Sequence, residues 1–153
     1  IQPTVTSGSQ NWITVYRYRN PHQDNTLVCL QRLKQQGYKI VATTLHKDSI
    51  PLESLPIDNK LALWFGTEKF GLTNVVYEQS DYKVHIPMLG FVQSLNISAS
   101  AALFLYSLTQ RIHTEREDWA LSETEMLDLK LDWLLRISTA GKQLLEEYKK
   151  EGR

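Results

Sequence analysis

Ser94, Asn96 and Ser98 fall within five residues of one segment, Ile86-Pro-Met-Leu-Gly-Phe-Val-Gln-Ser-Leu-Asn-Ile-Ser-Ala-Ser-Ala-Ala102. There a strand end meets a proline and glycine bend, and a polar Gln-Ser-Leu-Asn turn opens a long apolar helix. N–H groups at a helix start have no partner within the helix and point outward, so side-chain hydroxyls and amides beside them can cap the helix or hold a ligand. A second segment, Gly66-Thr-Glu-Lys-Phe-Gly-Leu-Thr73, has the glycine separation and final threonine of a phosphate-binding loop. That motif needs a lysine where Leu72 stands, and Glu68 would push phosphate away, which argues against a nucleoside triphosphate. Glycines that let the backbone come close, together with a carboxylate, suit a neutral or cationic ligand better.

These segments need strands and helices to bring them together. Trp12–Tyr18 alternates apolar and polar residues and reads as a strand. Asp24 or Asn25 can cap a helix in which Leu27, Leu30 and Leu33 recur at helical spacing, with Gly37 at its end. Tyr38–Thr44 is a buried strand, and a proline-punctuated loop runs from Leu45 to Asn59. Leu61–Phe65 and Tyr82–Ile86 are the third and fourth strands, with a short helix at Asn74–Gln79 between them. The helix opened by the polar turn covers about Ser98 to Thr109 or Arg111. Ser122-Glu-Thr-Glu125 matches a capping box and opens an amphipathic helix, and a last helix spans about Ser138–Lys150. This alternation predicts an α/β fold with a mostly parallel sheet flanked by helices. In such a sheet the strand ends share one edge, so loops at Thr43–His46, Gly66–Thr73 and Pro87–Leu95 can converge on one crevice.

With 153 residues, 42% of them hydrophobic, the chain can form one domain with a real core. Its 17 basic and 17 acidic residues balance, so a polyanionic partner would have to be held by a local patch. Positive charge is in excess only in residues 1–60, with seven basic against four acidic side chains. The single cysteine, Cys29, rules out an internal disulfide and fits a cytoplasmic location. No signal peptide or apolar run long enough to span a bilayer is present, so no membrane partner is expected.

The phrase Phe65-Gly-Thr-Glu-Lys-Phe-Gly-Leu72 resembles the second motif of the SPOUT class of RNA methyltransferases. Ile86-Pro-Met-x-Gly-x-x-Gln-Ser-Leu-Asn-Ile-Ser-x-Ser-Ala101 resembles the third, in the form found in the TrmH branch of ribose 2′-O-methyltransferases. Ala42-Thr-Thr-Leu45 and Ser7-Gly-Ser-x-x-Trp12 are also similar to that branch, so the likeness covers roughly residues 5–111. It implies a sheet whose C-terminal part is tied in a trefoil knot, an exception to the usual avoidance of threaded loops. It further implies a homodimer, S-adenosylmethionine as cofactor, and methyl transfer to a ribose 2′-hydroxyl of RNA. Carried onto this chain, the cofactor would contact Thr43, Leu45, Gly66, Ile86, Met88 and Leu95. Glu68 would face the sulfonium, and Ser94 and Asn96 would position the reacting groups. Residues 1–111 would form the methyltransferase domain and 112–153 a C-terminal helical extension, packed on the domain or on the dimer. That extension resembles the tRNA enzymes that modify guanosine 18 in the D-loop; ribosomal RNA is the alternative substrate, and a non-catalytic RNA-binding module is the rival class. The family's first motif, an Asn and an Arg on an early helix, has no match in Arg17, Arg19 or Arg32. The chain opens at Ile1 rather than methionine, and the general base and two N-terminal strands are expected upstream of it.

Other residues receive plainer readings. His22, His46 and His85 stand apart from cysteine or acidic clusters, so no metal site is expected. Arg17 and Arg19 share a strand face that could be solvated or touch RNA. Trp119 and Trp133 are placed in amphipathic helices as packing residues.

Overall fold

The computed structural model describes residues 9–91 and 94–151. Four strands, Tyr38–Thr43 (β1), Ile50–Pro51 (β2), Lys60–Trp64 (β3) and Tyr82–His85 (β4), form an all-parallel sheet in the order β2-β4-β1-β3. Ala42 lies opposite Trp64 and Thr43 opposite Val84, so β1, β3 and β4 end level at one edge.

Successive residues of β1 point to opposite faces, and each face has its own core. Ile40 and Ala42 pack with Leu30 of the helix Asn25–Gln35 (α1) and Val76 of the helix Asn74–Gln79 (α2). Val41 and Val84 pack on the other face with Phe104 and Leu108 of the helix Ile97–Glu115 (α3), and with Leu52, Leu55 and Ile57. The α1 start is fixed by Asp24, whose carboxylate accepts from the N–H groups of Thr26 at 2.9 Å and Leu27 at 3.1 Å. Gly37, at φ +80°, turns the chain from α1 into β1.

The segment 45–59, expected to be loop throughout, contains β2 and a 3-10 turn at Leu52–Ser54. It is held from α3: the Arg111 guanidinium donates to the carbonyls of Leu52 (3.3 Å) and Leu55 (2.9 Å), and Arg116 donates to that of Ile57 (2.6 Å). Arg111→Ala should therefore cost about 1–3 kcal/mol by leaving the part-buried Leu55 carbonyl without a donor, while the Leu52 carbonyl keeps the Leu55 N–H. A urea midpoint unchanged from the parent would show that water replaces the guanidinium there.

Tyr18–Trp119 forms one compact unit, and the described parts of Ile1–Arg17 and Ala120–Arg153 form another. The second unit holds a 3-10 turn at Ser9–Trp12, the helix Glu123–Ile137 (α4) and the helix Gly141–Lys150 (α5). Ser122 and Glu125 form the expected capping box at the start of α4. The strand expected at Trp12–Tyr18 is not formed. Trp12 closes the 3-10 turn and packs edge-on against Trp133, with ring centroids 5.2 Å apart. The Ile13 carbonyl and Thr14 hydroxyl are bound by Arg136 at 2.9 and 2.8 Å, not by a neighbouring strand. Trp119 is not helical either; it lies in the turn after α3, stacked on His113 at 4.1 Å. The last helix starts at Gly141, three residues later than expected.

Candidate active site

The loops that leave β1, β3 and β4 bound one cavity of about 430 Å³ in the Tyr18–Trp119 unit. That volume lies within the range of roughly 300–1,000 Å³ usual for small-molecule sites. Thr43 and Leu45 line it from the first loop, Gly66 and Glu68 from the second, and Ile86, Met88, Ser94, Leu95 and Asn96 from the third. The nine residues given a cofactor or reacting-group role from the sequence thus share one cavity; Ser98, named beside them at the helix start, does not line it and gives its N–H to the Asn96 cap. Gln93 of the polar turn, and Ser7 and Gly8 of the N-terminal phrase, lie outside the described residues.

Each loop has a local cause. The Thr43 hydroxyl donates to the Trp64 carbonyl at 2.8 Å and ties the end of β1 to that of β3. Thr44 shares a hydrogen bond with the Tyr77 hydroxyl at 2.9 Å and accepts the His46 N–H, which bends the chain away from the sheet. After β3, Thr67 and Gly71 exchange both backbone hydrogen bonds, at 2.9 and 2.8 Å, closing a tight hairpin. Gly66 sits against that hairpin so closely that an added Cβ would lie 2.1 Å from the Gly71 carbonyl carbon. Asn96 is the N-cap of α3: its Oδ1 accepts the Ser98 N–H at 2.8 Å. That bond turns Nδ2 toward Glu68, to which it donates at 3.2 Å, so the second and third loops are joined across the mouth.

The lining changes character with depth. Val84 and Phe104 are buried, and Phe65 stands edge-on to Phe104 at 5.6 Å, making an aromatic inner end. Glu68, Ser94 and Asn96 are exposed at the outer end. A ligand with a flat apolar ring at one end and a cation at the other fits this division.

Sequence reasoning did not single out Phe65, His85, Ser100 or Phe104 as site residues. The helical repeat could have found two of them, because Asn96, Ser100 and Phe104 follow one another at four-residue spacing along one face of α3. His85, read from the sequence only as standing apart from any metal-binding cluster, lines the cavity and binds the Ser49 hydroxyl through Nδ1 at 2.9 Å.

The stretch leaving the first loop carries a charge cluster. Lys83 and His46 both bind Asp48, and they hold its carboxyl down to about 2. A carboxyl with a depressed folded-state pKa stabilises the fold above its unfolded pKa of about 3.9, and the contribution is lost as pH falls toward 2. The difference in melting temperature between the parent and Asp48→Asn should accordingly shrink from pH 5 to pH 2. A constant difference would mean that the cluster acts through packing and not through charge. Among the described residues, no helix is long and apolar enough to cross a membrane.

The family described as SpoU rRNA methylases matches residues 3–106. A tRNA (guanosine(18)-2′-O)-methyltransferase of Borreliella burgdorferi is 42% identical over 137 residues, covering 90% of this chain and 61% of that protein. Its Aquifex aeolicus counterpart is 32% identical over 136 residues, covering 87% and 62%. The crystal structure of an A. aeolicus TrmH/SpoU tRNA modifying enzyme superposes with a TM-score of 0.73 at 29% identity, over 91% of this chain and 70% of that one. The chain spans about three-fifths of the length of the two curated relatives. With the family's match extending over two-thirds of its length and a parallel sheet whose loops close on one cavity, this chain belongs to the SpoU methylase family.

Proposed function

We propose that this protein transfers a methyl group from S-adenosylmethionine to the 2′-hydroxyl of guanosine 18 in the D-loop of tRNA. The observation that carries the proposal is the Asn96–Glu68 hydrogen bond across a cavity that three separated loops form together. The names of the curated relatives support tRNA over ribosomal RNA. The cofactor would supply a methyl group made electrophilic by a positively charged sulfur. Ile86, Met88 and Leu95 offer apolar walls for its nucleoside, and Thr43, Leu45 and Gly66 offer backbone groups beside it. Glu68 sets a carboxylate against the positive charge, and Asn96 fixes that carboxylate in place. Ser94 stands at the exposed mouth, where the ribose would enter. Most of the acceleration would come from holding methyl, oxygen and proton acceptor in line.

A knotted path through the third loop and a homodimer complete the proposal. The exposed apolar side chains Leu103, Leu105 and Tyr106 on α3 support self-association. A cytoplasmic location follows from a tRNA substrate and a single free cysteine, Cys29.

The test is mass mapping of ribose methyls in tRNA from cells lacking the gene, paired with calorimetry of the protein with S-adenosylmethionine. Loss of the guanosine 18 methyl and saturable binding are expected. An intact set of tRNA ribose methyls sinks the substrate assignment, and absence of binding sinks the cofactor.

A further inference from the structure

Helices that cover a sheet bury apolar side chains on the covering face, and α3 does so with Phe104 and Leu108. One turn earlier on that face stands Ser100, half-buried and lining the cavity. At 1.5 Å of rise per residue it lies about 6 Å along the helix from Asn96 on one side and from Phe104 on the other. It therefore sits between the polar mouth and the aromatic inner end.

Its backbone N–H is used within the helix, donating to the Asn96 carbonyl at 2.9 Å. Its hydroxyl has no hydrogen-bond partner among the described residues. Among those residues no fully buried side-chain nitrogen or oxygen lacks a partner, so the Ser100 hydroxyl is reached by solvent, and on this face of α3 the solvent is that of the cavity. A ligand that displaces this water must itself bond the hydroxyl or leave it unsatisfied.

We infer that Ser100 is a cofactor-binding residue whose hydroxyl hydrogen-bonds the nucleoside part of S-adenosylmethionine. This rests on the cofactor assignment made above. The position decides which part of the ligand is met: the sulfonium suits the end that carries Glu68, and a purine suits the end walled by Phe65 and Phe104. Ser100 borders the latter.

S-adenosylhomocysteine shares the nucleoside but lacks the positive charge, so it separates the two ends. Calorimetry on the 153-residue chain and its Ser100→Ala variant should show both ligands weakened by about three- to tenfold, the loss of one neutral hydrogen bond. The unliganded melting temperature should stay level or rise, because alanine is the better helix former. Equal affinities in parent and variant overturn the role of Ser100 while leaving the cofactor assignment standing. A loss confined to S-adenosylmethionine overturns the placement at the nucleoside. If the parent binds neither ligand, the cofactor assignment falls and Ser100 falls with it.

Discussion

Gly66→Ala should weaken S-adenosylmethionine binding by about 30- to 150-fold, the equivalent of roughly 2–3 kcal/mol of overpacking. The added methyl would meet backbone on one side: the Gly71 carbonyl carbon at 2.1 Å, the Leu72 nitrogen at 2.4 Å and the Gly71 oxygen at 2.5 Å. None of these can turn aside as a flexible side chain would. Relief requires the paired Thr67 and Gly71 hydrogen bonds to open, and that hairpin carries Glu68 into the cavity. The rest of the sheet should survive, since Gly66 lies two residues beyond Trp64, the last residue of β3, and the core residues Ile40, Val41 and Val84 do not depend on the hairpin. Circular dichroism close to the parent with binding lost is the expected pair of results. Binding within twofold of the parent would show that the hairpin can shift without consequence.

The site was more legible than the N-terminal segment, for a physical reason. Parallel strands end at one edge, so strand assignments for β1, β3 and β4 suffice to bring Thr43, Gly66 and Ile86 together, whatever the loops between them do. Local chemistry was also readable: Asp24, Asn96 and Ser122 each cap a helix through their own side-chain oxygen. What escaped was decided by tertiary contact. Ile50-Pro51 is too short and too proline-bound to read as a strand, yet proline is tolerated at a sheet edge, where β2 lies. Trp12–Tyr18 has the alternation of a strand, but its first residues are taken by Trp133 and Arg136 of α4. Ser100 and Phe104 went unnamed because a helix stripe reads as core, although their four-residue spacing from Asn96 carries that stripe out to the cavity mouth.

Asn96 makes two bonds that can be separated by substitution. Asn96→Asp keeps an oxygen to accept the Ser98 N–H, so the helix cap should hold and stability should stay near the parent's. The same change removes the Nδ2 donor and sets a second carboxylate 3.2 Å from Glu68, where like charges repel. Methyl transfer should fall by about 100-fold, the scale expected when a positioning contact moves by about 1 Å. Asn96→Ala should lose the cap as well, at a cost of about 1 kcal/mol in unfolding. Glu68→Gln, with a carbonyl still able to accept from Asn96, isolates charge: S-adenosylmethionine should bind more weakly while S-adenosylhomocysteine is spared. Combining Asn96→Asp with Glu68→Gln removes the repulsion, so the double variant should transfer methyl faster than Asn96→Asp alone, a coupling that a purely structural cap has no means to produce. If Asn96→Asp works at the parent's rate, the bond between the two loops has no part in transfer, and the assignment of roles at the cavity mouth has to be withdrawn.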